Sequence, residues 1–289
     1  MSFTSLNYNN KGKTSFLRYS ILIMAIGSLL SVCLTANAST LISSTEYLEY
    51  ELPKIVQDKC YEKNNCPEIE VKYLKTNQNW LNEIVNKRIN NIAINSQPSD
   101  KPINKATSTK AAKLAIDDFT KAQFEDLPAD VPWSYQLTVM PEYLGHIKLG
   151  DTKQSQTEDF ELFEINSYVF TGGAHGMPLS EYLIFDPSSK QQVKLDDMLQ
   201  KGKKARFKAL AYESYKAWVK TVDEDVIKYE QSWPFTLNDN ITLTDKGIDI
   251  RYSHYAIGPY AYGMPVLSIP YTKLDGIIKP RFLPSLSSK

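Results

Sequence analysis

Tyr168-Val169-Phe170-Thr171-Gly172-Gly173-Ala174-His175-Gly176 is the stretch on which the reading of this chain turns. A β-rich run stops there in a loop with three glycines in five residues and a single histidine. Glycine allows positive φ and close backbone approach at a cost in folding entropy, so such a loop marks a tight turn or a contact surface. Upstream, Trp133, Tyr135, Leu137 and Val139 alternate with polar residues, a turn is expected near Pro141, and Leu162 to Phe170 leads into the glycines. Downstream, Tyr182-Leu183-Ile184-Phe185 reads as the next strand, closed by Asp186-Pro187. The pattern predicts an antiparallel meander.

The flanks add helices. Trp80, Leu81, Ile84, Val85, Ile89 and Ile92 recur at helical spacing, with Asn77 or Asn79 as a cap. A second helix over 107–125 would turn Ala111, Ala115, Phe119 and Ala122 inward. Leu195 to Leu199 is expected to be a short helix with acidic residues at its start, opposite the positive helix end. The longest helix is expected over 203–230, with Phe207, Leu210, Ala211, Tyr215, Trp218, Val222 and Ile227 as its stripe. Further strands fall at Glu46 to Leu52, Glu68 to Tyr73, Phe235 to Leu237, Ile241 to Leu243, Ile248 to Tyr252 and Val266 to Tyr271. The fold class is α+β, antiparallel sheets with packed helices. It is expected as two lobes, residues 39–176 and 177–289.

Residues 1–38 read as an export signal: Lys11, Lys13 and Arg18 precede the apolar run Ile21 to Leu34, and Ala36-Asn37-Ala38 offers a cleavage site before Ser39. The run is shorter than a spanning helix needs, so the mature protein is expected to be periplasmic or secreted, with no stable membrane span. A lipoprotein anchored through Cys33 is the alternative, against which Val32 stands where such signals take a small residue. Cleavage leaves Cys60 and Cys66, an even pair expected to form a structural disulfide in an oxidising compartment. It also removes three basic residues and no acidic ones, so the remainder is mildly acidic. No basic stripe interleaved with aromatics is present, which excludes a phosphate-tracking nucleic-acid role.

A second loop, Ala256-Ile257-Gly258-Pro259-Tyr260-Ala261-Tyr262-Gly263, stands before the strand at Val266. The ordered series of Gly172 to Gly176, Phe185-Asp186-Pro187, Leu195-Asp196-Asp197-Met198-Leu199 and this loop resembles the extracellular domain of RsiV, the lysozyme-sensing anti-sigma factor. It is similar also to the non-catalytic domain of PdaC-type peptidoglycan deacetylases. The resemblance runs from about Cys60 to Leu274. It implies a domain that binds lysozyme with loops directed at the enzyme's substrate cleft. Pro259, Tyr260 and Tyr262 match that loop in character, and Gly172, Gly173, His175 and Gly176 form the second candidate surface. Only about twenty residues precede the apolar segment, too few for a cytoplasmic sigma-binding domain. No deacetylase domain follows before Lys289, so a sensor-type module alone is expected.

The residues themselves favour binding over catalysis. His175 has no Gly-x-Ser-x-Gly or comparable nucleophile frame in the chain. His146, His175 and His254 lack metal-ligand spacing, so no metal and no cofactor are expected. Tyrosines on a proline-stiffened loop offer amphipathic surface with few rotors. The expectation is a non-enzymatic envelope protein that binds or inhibits c-type lysozyme. The rivals are a periplasmic scaffold that binds peptidoglycan or an envelope protein, and a hydrolase using His175.

Overall fold

The computed structural model describes residues 44–62, 66–96, 108–126, 135–151 and 156–284. The export signal, Cys33 and Trp133 lie outside the described residues. The described residues fall within one compact unit, Ser39–Lys289. The fold is α+β.

One sheet organises it: β1 (Thr45–Glu49), β2 (Glu68–Thr76), β3 (Tyr135–Asp151), β4 (Gln156–Thr171), β5 (Met177–Asp186) and β6 (Gln191–Val193), in that spatial order. All neighbours are antiparallel except β2 and β3. That parallel pair requires a crossover, supplied by α2 (Asn79–Asn95) and α3 (Thr109–Asp126). Between β1 and β2, α1 (Lys54–Glu62) carries Cys60, and the Cys60–Cys66 disulfide forms.

The pleat distributes two cores over the two faces of this sheet. Odd-numbered Phe163, Ile165, Leu183 and Phe185 pack with Leu81, Val85 and Ile89 of α2 and Ile116 of α3. Even-numbered Phe160, Leu162 and Ile184 face a second core. That core is completed by α4 (Leu195–Met198), α5 (Lys204–Val219), α6 (Val226–Ser232) and a three-stranded sheet of β7 (Ile241–Leu243), β8 (Gly247–Arg251) and β9 (Val266–Pro270). β4 and β5, on either side of the 176/177 boundary expected between the lobes, are adjacent strands of the large sheet. The cores are divided by the sheet's faces and not at that residue.

β3 serves both cores through a register shift between Tyr143 and Gly145, where Leu144 is the extra residue. Gly145 takes φ 113°. One inserted residue exchanges the two faces. Leu137 and Val139 therefore point to the α2 core, while Ile147 and Leu149 point to the other. The turn expected near Pro141 is absent: Pro141 pairs with Ile165 inside β3. It lies past the last β2–β3 pair, Val71 with Val139, where the missing amide donor breaks no ladder.

Three other expectations are corrected. The long helix is two, because Thr221 Oγ1 donates to Trp218 O at 2.6 Å and Asp225 caps α6 by accepting from Lys228 N at 3.0 Å. Phe235 to Leu237 is an irregular segment whose Phe235 and Leu237 pack on the core, not a strand. In α3 the buried stripe is Ala112, Ile116 and Thr120 with Phe119 half-buried, whereas Ala111 and Ala122 are exposed. The inward face is turned by one residue from the expected set.

Asparagines close the free stretches of strand. Past the end of the β2–β3 ladder, Asn86 accepts from Leu74 N at 2.7 Å and donates to Leu74 O at 2.8 Å. One turn earlier on α2, Asn82 does the same for Thr76, at 2.8 and 3.0 Å. Asn240 accepts from Tyr182 N at 2.7 Å and donates to Ser180 O at 2.8 Å on the outer edge of β5. Each amide takes the place of a missing neighbouring strand. Beside Asn240, buried Glu164 accepts from Ser180 Oγ and pairs with Arg251 at 3.1 Å, and Arg251 also donates to Tyr182 Oη. This network ties the small sheet to the large one.

Candidate functional site

The glycine loop joins β4 to β5, and the Pro259 loop lies between β8 and β9, so both emerge from strand ends. Gly172 and Gly173 have φ 98° and 101°, the left-handed backbone that lets the chain reverse. Gly176 serves by close approach instead: a Cβ there would overlap the Tyr168 ring. In the second loop, Pro259 starts a single 3-10 turn, Tyr260–Tyr262, in which Tyr262 N donates to Pro259 O at 3.0 Å. Gly263, at φ 68°, ends it.

The two loops touch at Tyr260. Its hydroxyl donates to Gly176 O at 3.0 Å. The His175 ring stacks on the Tyr260 ring at 3.9 Å with a 20° interplanar angle, and the His254 ring lies 4.4 Å from it at 31°. Tyr255 approaches the same ring at 5.8 Å, and its hydroxyl lies 3.4 Å from His175 Nε2. His175 Nδ1 is 3.1 Å from Gly176 O. His175 Nδ1 thus faces the carbonyl that Tyr260 also bonds, and Nε2 faces the hydroxyl of the exposed Tyr255. Gly172, Gly173 and His175 are exposed, Gly176 is buried, and Pro259 and Tyr260 are half-buried.

Tyr262 points the other way. Its ring meets Trp218 edge-on at 6.3 Å, its hydroxyl reaches Val222 O at 3.5 Å, and 41% of the residue is exposed. Gly258 makes room for this arrangement, since a Cβ there would lie 2.7 Å from Tyr229 Oη, 3.1 Å from Trp218 and 3.2 Å from Tyr262. The Tyr229 hydroxyl donates to Ile257 O at 3.0 Å. Burial pushes that hydroxyl up to about 12, with Tyr262 and Asp223 adding to the shift, so it stays a neutral donor. Beside Tyr262 opens a cleft of about 510 Å³ lined by Asp223, Glu224 and Asp225, by Lys228, and by Trp233 and Pro259, with three carboxylates to one ammonium.

The structure therefore brings His175 and Gly176 of one loop against Tyr260 of the other, while Tyr262 packs on Trp218, away from that contact. It adds His254 and Tyr255, which frequency and spacing alone leave scattered, and the Asp223-Glu224-Asp225 turn, which reads in sequence as the exposed face of one long helix. The signal available for the latter is the run Thr221-Val222-Asp223-Glu224-Asp225, dense in residues that bond backbone locally. His146 is exposed on β3 and takes no role in the site. Among the described residues, no three His, Cys, Asp or Glu side chains gather in a metal-binding arrangement.

Among curated proteins, none matches this chain. A solved DUF3298 family protein from Pseudomonas aeruginosa PAO1 is similar at 26% identity and a TM-score of 0.62, over 84% of this chain and 97% of that one. A solved member of the same family from Bacteroides fragilis NCTC 9343, at 19% identity and a TM-score of 0.58 over 83% and 95%, shares the fold. Residues 184–272, from the end of β5 through the Pro259 loop and β9, match the family described as a protein of unknown function, DUF3298.

Proposed function

We propose that this chain is an exported, non-enzymatic binding protein of the cell envelope, RsiV-like in its recognition domain, whose joined loops bind c-type lysozyme and block its cleft. The observation that carries the reading is the contact of Tyr260 with His175 and Gly176, which unites two loops 84 residues apart into one aromatic surface. A surface fixed before binding loses little entropy on association. Tyrosine, with tryptophan and arginine, is enriched among the residues that anchor protein interfaces. The carboxylates beside Tyr262 favour a cationic partner. The contacts of His175 support an anchoring role for it, because its ring nitrogens face a backbone carbonyl and a tyrosine hydroxyl.

The test is calorimetric titration of the purified mature chain with a c-type lysozyme, together with a muramidase assay. The expected result is a one-to-one complex of about micromolar affinity or tighter and loss of muramidase activity in step with it. Binding to peptidoglycan fragments with no lysozyme complex would move the chain to the scaffold reading. Hydrolytic activity abolished by His175→Ala would instead make it an enzyme.

A further inference from the structure

Tyr255 takes φ 65°, one of two residues other than glycine that are left-handed among the described residues. A bulky aromatic residue rarely occupies that region. Such strain persists where surrounding contacts impose it, and it concentrates at sites of function. Here it secures no burial: 47% of Tyr255 is exposed. What it does is set the ring next to the two loops, 5.8 Å from the Tyr260 ring and with its hydroxyl 3.4 Å from His175 Nε2. A turn in which Ala256 N donates to Ser253 O at 3.1 Å holds the backbone there. Asparagine or glycine would satisfy the same backbone with less strain.

We infer that Tyr255 is a ligand-contacting residue of the joined-loop surface, its left-handed backbone presenting an exposed ring beside the His175–Tyr260 stack to the bound lysozyme. This rests on the lysozyme-binding reading above. It extends the surface beyond the Pro259 to Gly263 loop to a segment that precedes it in the chain.

The experiment compares wild type, Tyr255→Asn and Tyr255→Phe in the full mature chain, by affinity for a c-type lysozyme and by thermal midpoint. Tyr255→Asn is expected to weaken binding about tenfold or more while the midpoint holds or rises, because strain is relieved as the contact is lost. Tyr255→Phe, which keeps the ring, is expected to bind within about threefold of wild type. A structural tyrosine would behave oppositely, so a midpoint lowered by more than about 5 °C in Tyr255→Asn overturns the proposal. So does Tyr255→Asn binding within about twofold of wild type, or a loss in Tyr255→Phe as large as in Tyr255→Asn. A wild-type chain that forms no lysozyme complex overturns the functional reading and this inference together. A wild-type complex that Tyr255→Asn forms with undiminished affinity overturns the inference alone.

Discussion

Two tyrosines, two residues apart in one loop, have different duties. Tyr260 is half-buried among His175, His254 and Tyr255 and bonds Gly176 O, so removing it dissolves the contact between the loops. Tyr262 leaves much of its ring in solvent beside the acidic cleft. Tyr262→Ala is therefore expected to weaken lysozyme binding by about 2 kcal/mol with the thermal midpoint little changed. Tyr260→Ala should lower both, by about 2 kcal/mol or more in urea unfolding. If the two variants are indistinguishable in both measurements, this division of labour is wrong. Gly258→Ala probes the same packing from beneath: its methyl would press on Tyr229, Trp218 and Tyr262, and is expected to cost about 1–3 kcal/mol in the same unfolding assay.

The strands end where side-chain amides substitute for missing neighbours. Asn240→Ala would leave Tyr182 N and Ser180 O without their partner, and urea unfolding should show a loss of about 2 kcal/mol. An unchanged midpoint would mean that water replaces the amide at no cost. The strands themselves are readable in sequence because alternation reports a sheet directly: Leu162 to Phe170 and Ile241 to Leu243 fall in strands, and the strand expected over Ile248 to Tyr252 does so up to Arg251. What misleads is punctuation whose meaning depends on tertiary context. Pro141 reads as a turn until one knows that β3 has a free side there. α5 and α6 read as one helix because Trp218 and Val222 continue the stripe up to a break made by Thr221 and Asp225 side chains, but Ile227, five residues after Val222, falls off that face and is 78% exposed. The two loops of the site are legible from composition, glycine for reversal and tyrosine for surface. Their meeting is not, because nothing local encodes a stack between His175 and Tyr260.

Two ties at opposite ends of the chain bear on the stability of the whole. The Cys60–Cys66 disulfide closes a small loop, and its reduction should lower unfolding stability by about 2 kcal/mol without loss of the fold. A reduced protein that no longer unfolds cooperatively would contradict this. Near the C-terminus, Arg281 pairs with Glu158 and, at 2.7 Å, with Asp186, which is buried and accepts from Ser188 N at 2.8 Å. Burial opposes ionisation of Asp186, but the hydrogen bonds from Arg281, Ser189 and Ser188 outweigh it and hold the carboxyl below its ordinary value. The stability from this group is complete above the ordinary aspartate range and is lost as the pH falls through the lowered folded value. The thermal midpoint of wild type should thus fall on strong acidification, and Asp186→Asn should show a shallower fall. Equal slopes would remove Asp186 from the account. The strand-closing asparagines carry a slower consequence. Each of Asn82, Asn86 and Asn240 donates and accepts at once, whereas an aspartate of the same shape can only accept and would set its charge against a carbonyl oxygen. Loss of ammonia at any one of the three would therefore unfasten a sheet margin from within, by a change of a single amide to a carboxylate.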